Sequence, residues 1–208
     1  MKTLLDLESW PRKEHFHFFR KFSEPFFGVT VTIDCTQAYE NAKAQNVPFF
    51  VYYLHKTLTA VNEIEPFRYR VDGDQVIIHD RIDGSATIAR ENGSFGFSLI
   101  AFYEDISRFT SEAKIEIHRV QNTPGLLTRE FPSDNLIHFS SIPWLDFTSL
   151  SHARNLEIAD SCPKISFGKM TIGADGKRSM PMSVHVHHAL MDGYHLSLFV
   201  DRFQDLMR

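Results

Sequence analysis

MSVHVHHALMDGYHLSLFV, residues 182–200, is the stretch on which the fold turns. Its first half alternates. Met182, Val184 and Val186 share one face of a strand, and Ser183, His185 and His187 share the other. Its second half changes period: Leu196, Phe199, Val200 and then Phe203 recur at helical spacing. A strand therefore passes into a helix, expected over Tyr194–Met207, with His187, His188, Asp192 and Gly193 at the junction. If the strand persists, His188 takes the apolar parity. Burial disfavours an imidazolium, so such a ring stays neutral and able to accept a proton, as a general base requires. Gly193 is expected to permit a sharp turn into the helix. A lone histidine at such a junction is ordinary, but a His-His-x-x-x-Asp-Gly cluster is less so. A metal site drawn from His185, His187, His188, Asp192 or His195 is disfavoured, because alternation sends His187 and His188 apart and no cysteine ligand is near. No metal is expected.

Working outward, Lys164 to Thr171 and Met180 to His187 read as strands joined by a Gly173/Gly176 turn, and Asn135 to Ser141 as a strand ending before Pro143-Trp144. Asp105 to Val120 is an amphipathic helix with Ile106, Phe109, Ala113 and Ile117 on one side. Residues 121–134, with Pro124, Gly125 and Pro132, read as an irregular loop. Residues 85–102 form two strand segments interrupted by Glu91-Asn92-Gly93, and 67–80 a hairpin turning at Asp72-Gly73-Asp74. Pro48 opens a helix whose Phe50, Leu54, Leu58 and Val61 share a face. Thr36 caps a helix over Gln37–Ala44, and Phe26–Asp34 is a strand. Near the start, Ser9 before Trp10-Pro11 suggests the cap of a helix over Arg12–Phe22, with His15, Phe16 and Phe19 on one stripe. These elements predict an α/β fold: a two-layer sandwich in which one mixed β-sheet is covered by helices.

The 208 residues suit a single domain, 1–208, with a sizeable core. Charged residues are 23% and phenylalanines number 19, which excludes disorder. The net charge of −4 without a basic block argues against nucleic acid. The longest apolar runs fall far below the ~20 residues of a membrane span. The first residues, MKTLLDLESWPRKEHF, mix acids and aromatics where a signal peptide would be apolar, so a cytoplasmic protein with Cys35 and Cys162 as free thiols is expected.

HVHHALMDGYH, 185–195, resembles the chloramphenicol acetyltransferase signature. Its His-x-x-x-Asp-Gly core also occurs in dihydrolipoamide acyltransferases and peptide-synthetase condensation domains. More specific are WPRKEHF at 10–16, FSSIPWLDFTSL at 139–150 and the hairpin at 67–80, all similar to that family in its order and at nearly its spacing. The chain is accordingly identified as a member of it. The resemblance implies a CoA-dependent acyltransferase fold and a homotrimer with active sites between subunits. It implies transfer of acetyl from acetyl-CoA, a co-substrate rather than a bound cofactor, to a hydroxyl of chloramphenicol.

It also implies roles. His188 matches the general base and Ser140 the oxyanion donor, although a strand-end serine alone would be unremarkable. Asp192, which invites the third place of a triad, instead pairs with Arg12 in a structural ion pair. Ser166 stands where a threonine binds a water near the oxyanion. Trp144 and Lys169 match positions near the coenzyme A channel. Phe19, Phe27, Phe97 and Leu99 match the acceptor pocket; by themselves such residues read as core. No role falls to His187 or His195.

The sequence departs from the family where Phe19 and Met170 replace tyrosines and where 92–98 reads NGSFGFS. These changes touch the acceptor pocket and leave the chemistry intact. Two alternatives follow: the same chemistry on a different hydroxyl acceptor, and a non-catalytic homologue that sequesters a ligand. The retained His188, Ser140, Arg12 and Asp192 count against the second.

Overall fold

A computed structural model describes residues 1–131, 133–157 and 159–208. In chain order the elements are β1 (Lys2–Leu4), α1 (Lys13–Phe19), β2 (Phe26–Asp34), α2 (Thr36–Ala44), α3 (Phe49–Glu63), a 3-10 turn (Glu65–Arg68), β3 (Tyr69–Asp72), β4 (Gln75–His79), β5 (Asp83–Ala89) and β6 (Phe95–Phe97). There follow α4 (Ile106–Asn122), β7 (Leu136–Ser141), β8 (Lys164–Phe167), β9 (Thr171–Ile172), β10 (Arg178–His187) and α5 (Gly193–Leu206).

The main sheet runs β2-β10-β8-β7-β5-β6, with β9 also on β10. It is mixed: β5, β7 and β8 are parallel, and β2, β10 and β6 join antiparallel. Register fixes its two faces. Phe139 lies opposite Ile165, and Ile165 opposite Val184; all are buried. This apolar face carries the helices, with Tyr53 of α3 against Phe139 and Phe167, and Phe203 of α5 against Phe167. Burying each such ring stabilises by roughly 1.5–3 kcal/mol. The opposite face is polar. Ser140, Ser166, Ser183 and Thr30 form one row across four strands, and His138, Lys164, His185 and Gly28 the next.

The layered α/β architecture is the one expected. One sheet was expected and two are present: β1, β4 and β3 form a separate three-stranded sheet. The fully buried Arg70 fastens it to the main sheet, donating to the carbonyls of Phe67, Tyr69, Asp134 and Leu136. β1 was not legible because three exposed residues show no alternation.

Several boundaries move. The first helix stops at Phe19 rather than Phe22, and its stripe holds Phe16 and Phe19 without His15, which is exposed. Ser9 does not cap it; its hydroxyl bonds Asp6 instead. Thr36 does not cap α2 but lies inside it, with its hydroxyl on the main chain of Arg178, while Asp34 receives the Thr36 N–H. α3 is buried on more than one face, because it lies between the sheet and the helices α2, α4 and α5. The expected Lys164–Thr171 strand breaks at Gly168. A Cβ there would stand 2.5 Å from Pro181 Cγ and 2.7 Å from the Leu145 carbonyl. Of the 121–134 loop, Pro132 lies outside the described residues. Cys35 and Cys162 are free and buried. Among the described residues no helix is long and apolar enough to cross a membrane.

Candidate active site

β10 ends at His187, and the chain turns there, with the Leu190 N–H on the His187 carbonyl at 3.0 Å. His188 therefore lies just past the strand, half-buried rather than sunk among Met182, Val184 and Val186. Its position is nevertheless fixed. Its N–H donates to the Pro25 carbonyl at 2.8 Å, and its carbonyl accepts from Arg12 Nη2 at 3.3 Å. Its ring is stacked on Phe19 at 3.9 Å between centroids, with Phe27 on another side at 4.5 Å. Nδ1 is buried without a hydrogen-bond partner. A ring held on both flanks has few orientations left, so its nitrogens point in set directions.

Asp192 is the N-cap of α5 and accepts from the Tyr194 N–H at 3.1 Å. Its other oxygen pairs with Arg12, whose side chain is only 13% exposed. Burial pushes the Asp192 carboxyl up, but Arg12 and the neighbouring His195 outweigh it, and the group is held below the usual carboxylate range. His195 Nδ1 lies within reach of both the Asp192 N–H and the Asp192 carboxylate. It accepts from the first when unprotonated and donates to the second when protonated, never both at once. Gly193 does not supply a turn: it is the first residue of α5, with no positive φ and no obstacle to a Cβ. The extended backbone of Asp192 makes the change of direction.

Ser140 stands elsewhere. It lines a cavity of about 640 Å³ on the polar face, together with Phe95, Phe97, Leu127, Phe131, His138, His152 and Lys164. Ser166 is its cross-strand neighbour, fully buried, with a hydroxyl that has no hydrogen-bond partner. The Ser140 hydroxyl borders the cavity and can donate to a developing negative charge there, with Ser166 buried beside it off the lining. Trp144, 74% exposed, and the exposed Lys169 lie together past the ends of β7 and β8, joined by the Lys169 N–H on the Leu145 carbonyl.

The expected residues thus fall into two groups that one chain does not unite. His188, Phe19, Phe27, Arg12 and Asp192 form the first; Ser140, Ser166 and Phe97 form the second. Ser183 of β10 lies level with Ser140, two strands away. His188 is five residues further along, so at ~3.3 Å per residue the two groups are roughly 15 Å apart or more. Leu99 joins neither: it is half-buried, outside the cavity lining, with its N–H on Glu116 at 2.8 Å.

Sequence reasoning missed the cluster at the end of the cavity away from Trp144. Lys164 is 8% exposed and pairs with Asp160. His138 lies opposite Lys164 in register and is exposed on the cavity wall, and His152 borders the same space. Burial, then the Lys164 charge, pushes His138 toward its neutral form; His152 is pushed down to about 4 by burial, then by His185 and Lys164. His138, Asp160 and Cys162 bring possible ligand atoms within 4.8 Å of one another, but the cation beside them is the Lys164 ammonium. The signal was available. His138-x-Ser140 and Lys164-x-Ser166 repeat one polar parity on adjacent strands.

The chain is similar to known proteins along nearly its whole length. The chloramphenicol acetyltransferase family model matches residues 1–204. Chloramphenicol acetyltransferase 3 of Escherichia coli is 28% identical over 98% of this chain and 96% of its own, and the Staphylococcus aureus chloramphenicol acetyltransferase is 26% identical over 99% of both. A solved chloramphenicol acetyltransferase superposes with a TM-score of 0.88 at 34% identity over the whole of both chains. The Azotobacter vinelandii dihydrolipoamide acetyltransferase shares the fold at a TM-score of 0.68 and 14% identity, covering 94% of this chain and 86% of that one.

Proposed function

Because the chain belongs to the chloramphenicol acetyltransferase family, we propose that it transfers acetyl from acetyl-CoA to a hydroxyl of chloramphenicol. The observation that carries the reading is His188: an imidazole between two aromatic rings, its main chain tied on both sides, in a chain that matches the family almost end to end.

In this reading the acceptor oxygen attacks the thioester carbon while a His188 nitrogen takes the hydroxyl proton. Ser140, with Ser166 beside it, donates to the oxyanion of the tetrahedral intermediate. The intermediate collapses, the carbon–sulfur bond breaks, and the proton passes from His188 to the departing thiolate. The products are the acetyl ester and CoA thiol, and no acetyl-enzyme forms. Arg12 and Asp192 hold the His188 backbone. Trp144 and Lys169 flank the approach of coenzyme A, and Phe19, Phe27 and Phe97 line that of the acceptor.

The distance between the two groups supports a further part of the proposal. The working unit is a homotrimer in which His188 of one subunit faces Ser140 of the next. The whole-length match supports one domain over 1–208, and a reaction drawing on acetyl-CoA suits the cytoplasm.

The test is thiol release from acetyl-CoA with and without chloramphenicol. Release should require chloramphenicol and should vanish in His188→Ala. No release from the wild type, or equal release from the variant, would sink the reading. A second reading, the same chemistry on another hydroxyl compound, is favoured by the charged cluster inside the cavity.

A further inference from the structure

We infer that, besides chloramphenicol, the site takes hydroxyl compounds bearing a carboxylate, held by Lys164, His138 and His152 at the end of the Ser140 cavity away from Trp144. The inference rests on the acetyl-transfer reading and names its acceptor class.

Three levels follow one another along β7 and β8. Trp144 and Lys169 stand past the strand ends, Ser140 and Ser166 come next, and His138 and Lys164 a further pleat repeat along. A thioester entering from the Trp144 side presents its carbonyl to the serines. An acceptor then fills the remainder, with its hydroxyl at the serines and its far end at Lys164. Two residues of strand separate those levels, so hydroxyl and far group are about 7 Å apart. Phe97 and Leu127 in the lining suit an apolar spacer between them.

The Lys164 end favours an anion over a cation or a neutral group. Both Asp160 oxygens are engaged, one by Lys164 and one by the Cys162 N–H. Lys164 has two oxygen partners, Asp160 and the Cys162 carbonyl, and stands 4.6 Å from the Phe26 ring centroid, so one of its three N–H donors has no oxygen partner. His152 Nε2 is buried without a partner. Burial, and after it the Lys164 charge, keeps the His138 and His152 rings toward their neutral forms. The acid on the lining, Asp134, is exposed and faces His79 at 3.0 Å. A carboxylate at this level meets an ammonium N–H and imidazole N–H groups, and such charge-assisted bonds are about twice as strong as neutral ones.

A matched pair of acceptors tests this: 4-(hydroxymethyl)benzoate and its neutral isostere 4-(hydroxymethyl)benzamide. Binding is read by calorimetry on the wild-type protein and turnover by thiol release. The benzoate should bind at least tenfold more tightly and be acetylated with at least tenfold higher kcat/KM. The double variant Lys164→Met/Asp160→Asn removes both charges and strands neither, and it should bring the binding ratio to one or below while its thermal melt stays cooperative. Equal binding of the two compounds by the wild type, preference for the amide, binding of neither, or an unchanged ratio in the folded double variant would each overturn the inference. Preferential binding without thiol release from either compound or from chloramphenicol would uphold the cavity's preference and reject acetyl transfer.

Discussion

Ser140 and His188 are the residues on which the proposed chemistry depends, and each has a distinct signature. Ser140→Ala removes one donor to the oxyanion and should lower kcat about 10²–10³-fold while the acceptor KM changes little. His188→Ala removes the base and should lower kcat by roughly 10²–10⁴. Steady-state thiol release separates these outcomes from a loss of fold, which circular dichroism would report. His187, next door, is a different kind of residue. It is 6% exposed, and burial, then the Arg154 charge, pushes it down to about 4. In the unfolded chain it titrates near 6.5, so its contribution is complete above that pH and is lost as pH falls through 4. A shift of that size is worth on the order of 3 kcal/mol. Urea midpoints should therefore fall steeply between pH 6.5 and 4. His187→Asn, which can still accept the Ala189 N–H but cannot titrate, should flatten that slope. An unchanged slope in the variant would contradict the assignment.

α5 and the strand before it show how one carboxylate serves two structures. Asp192 caps the helix with one oxygen and holds Arg12 with the other. Asp192→Asn keeps a good cap but strands a mostly buried guanidinium, which should cost roughly 3–5 kcal/mol. Asp192→Ala loses the cap as well and should be worse by about 1 kcal/mol. Denaturant titration of both variants measures the difference; identical losses would mean that the cap carries no weight here. The strand-to-helix switch was legible at this scale because period 2 and period 3.6 abut within residues 182–200. Cap residues were not. Ser9 and Thr36 have the right chemistry for capping, yet Asp6 and the Arg178 backbone compete for their hydroxyls, and Gly193 sits at a helix start that needs no glycine. The Lys164 end of the cavity escaped notice because Lys164 and His138 read as surface residues until β7 and β8 are set in register.

For the whole molecule, the separation of His188 from Ser140 has a direct test. If sites form between subunits, His188→Ala and Ser140→Ala chains, each nearly inactive, should complement one another when refolded together. Random mixing in a trimer with one histidine and one serine donor per site leaves about a quarter of the sites intact. Recovery of activity to that order supports shared sites, and none would place both residues in one chain's site. The layered fold and the two polar ends of the chain were legible because Arg12 and Asp192 flank recognisable apolar patterns; the second sheet was not, because its edge strand β1 has three exposed residues. β10 lies between β2 and β8, and during synthesis both are complete before β10 exists. The nascent chain therefore carries two open strand edges with no means of joining them, and the backbone that will hold His188 is not yet made. Such edges invite pairing with other chains. A translation pause ahead of residue 178 would prolong that exposure, and the yield of soluble protein should respond to codon choice there more than within α4.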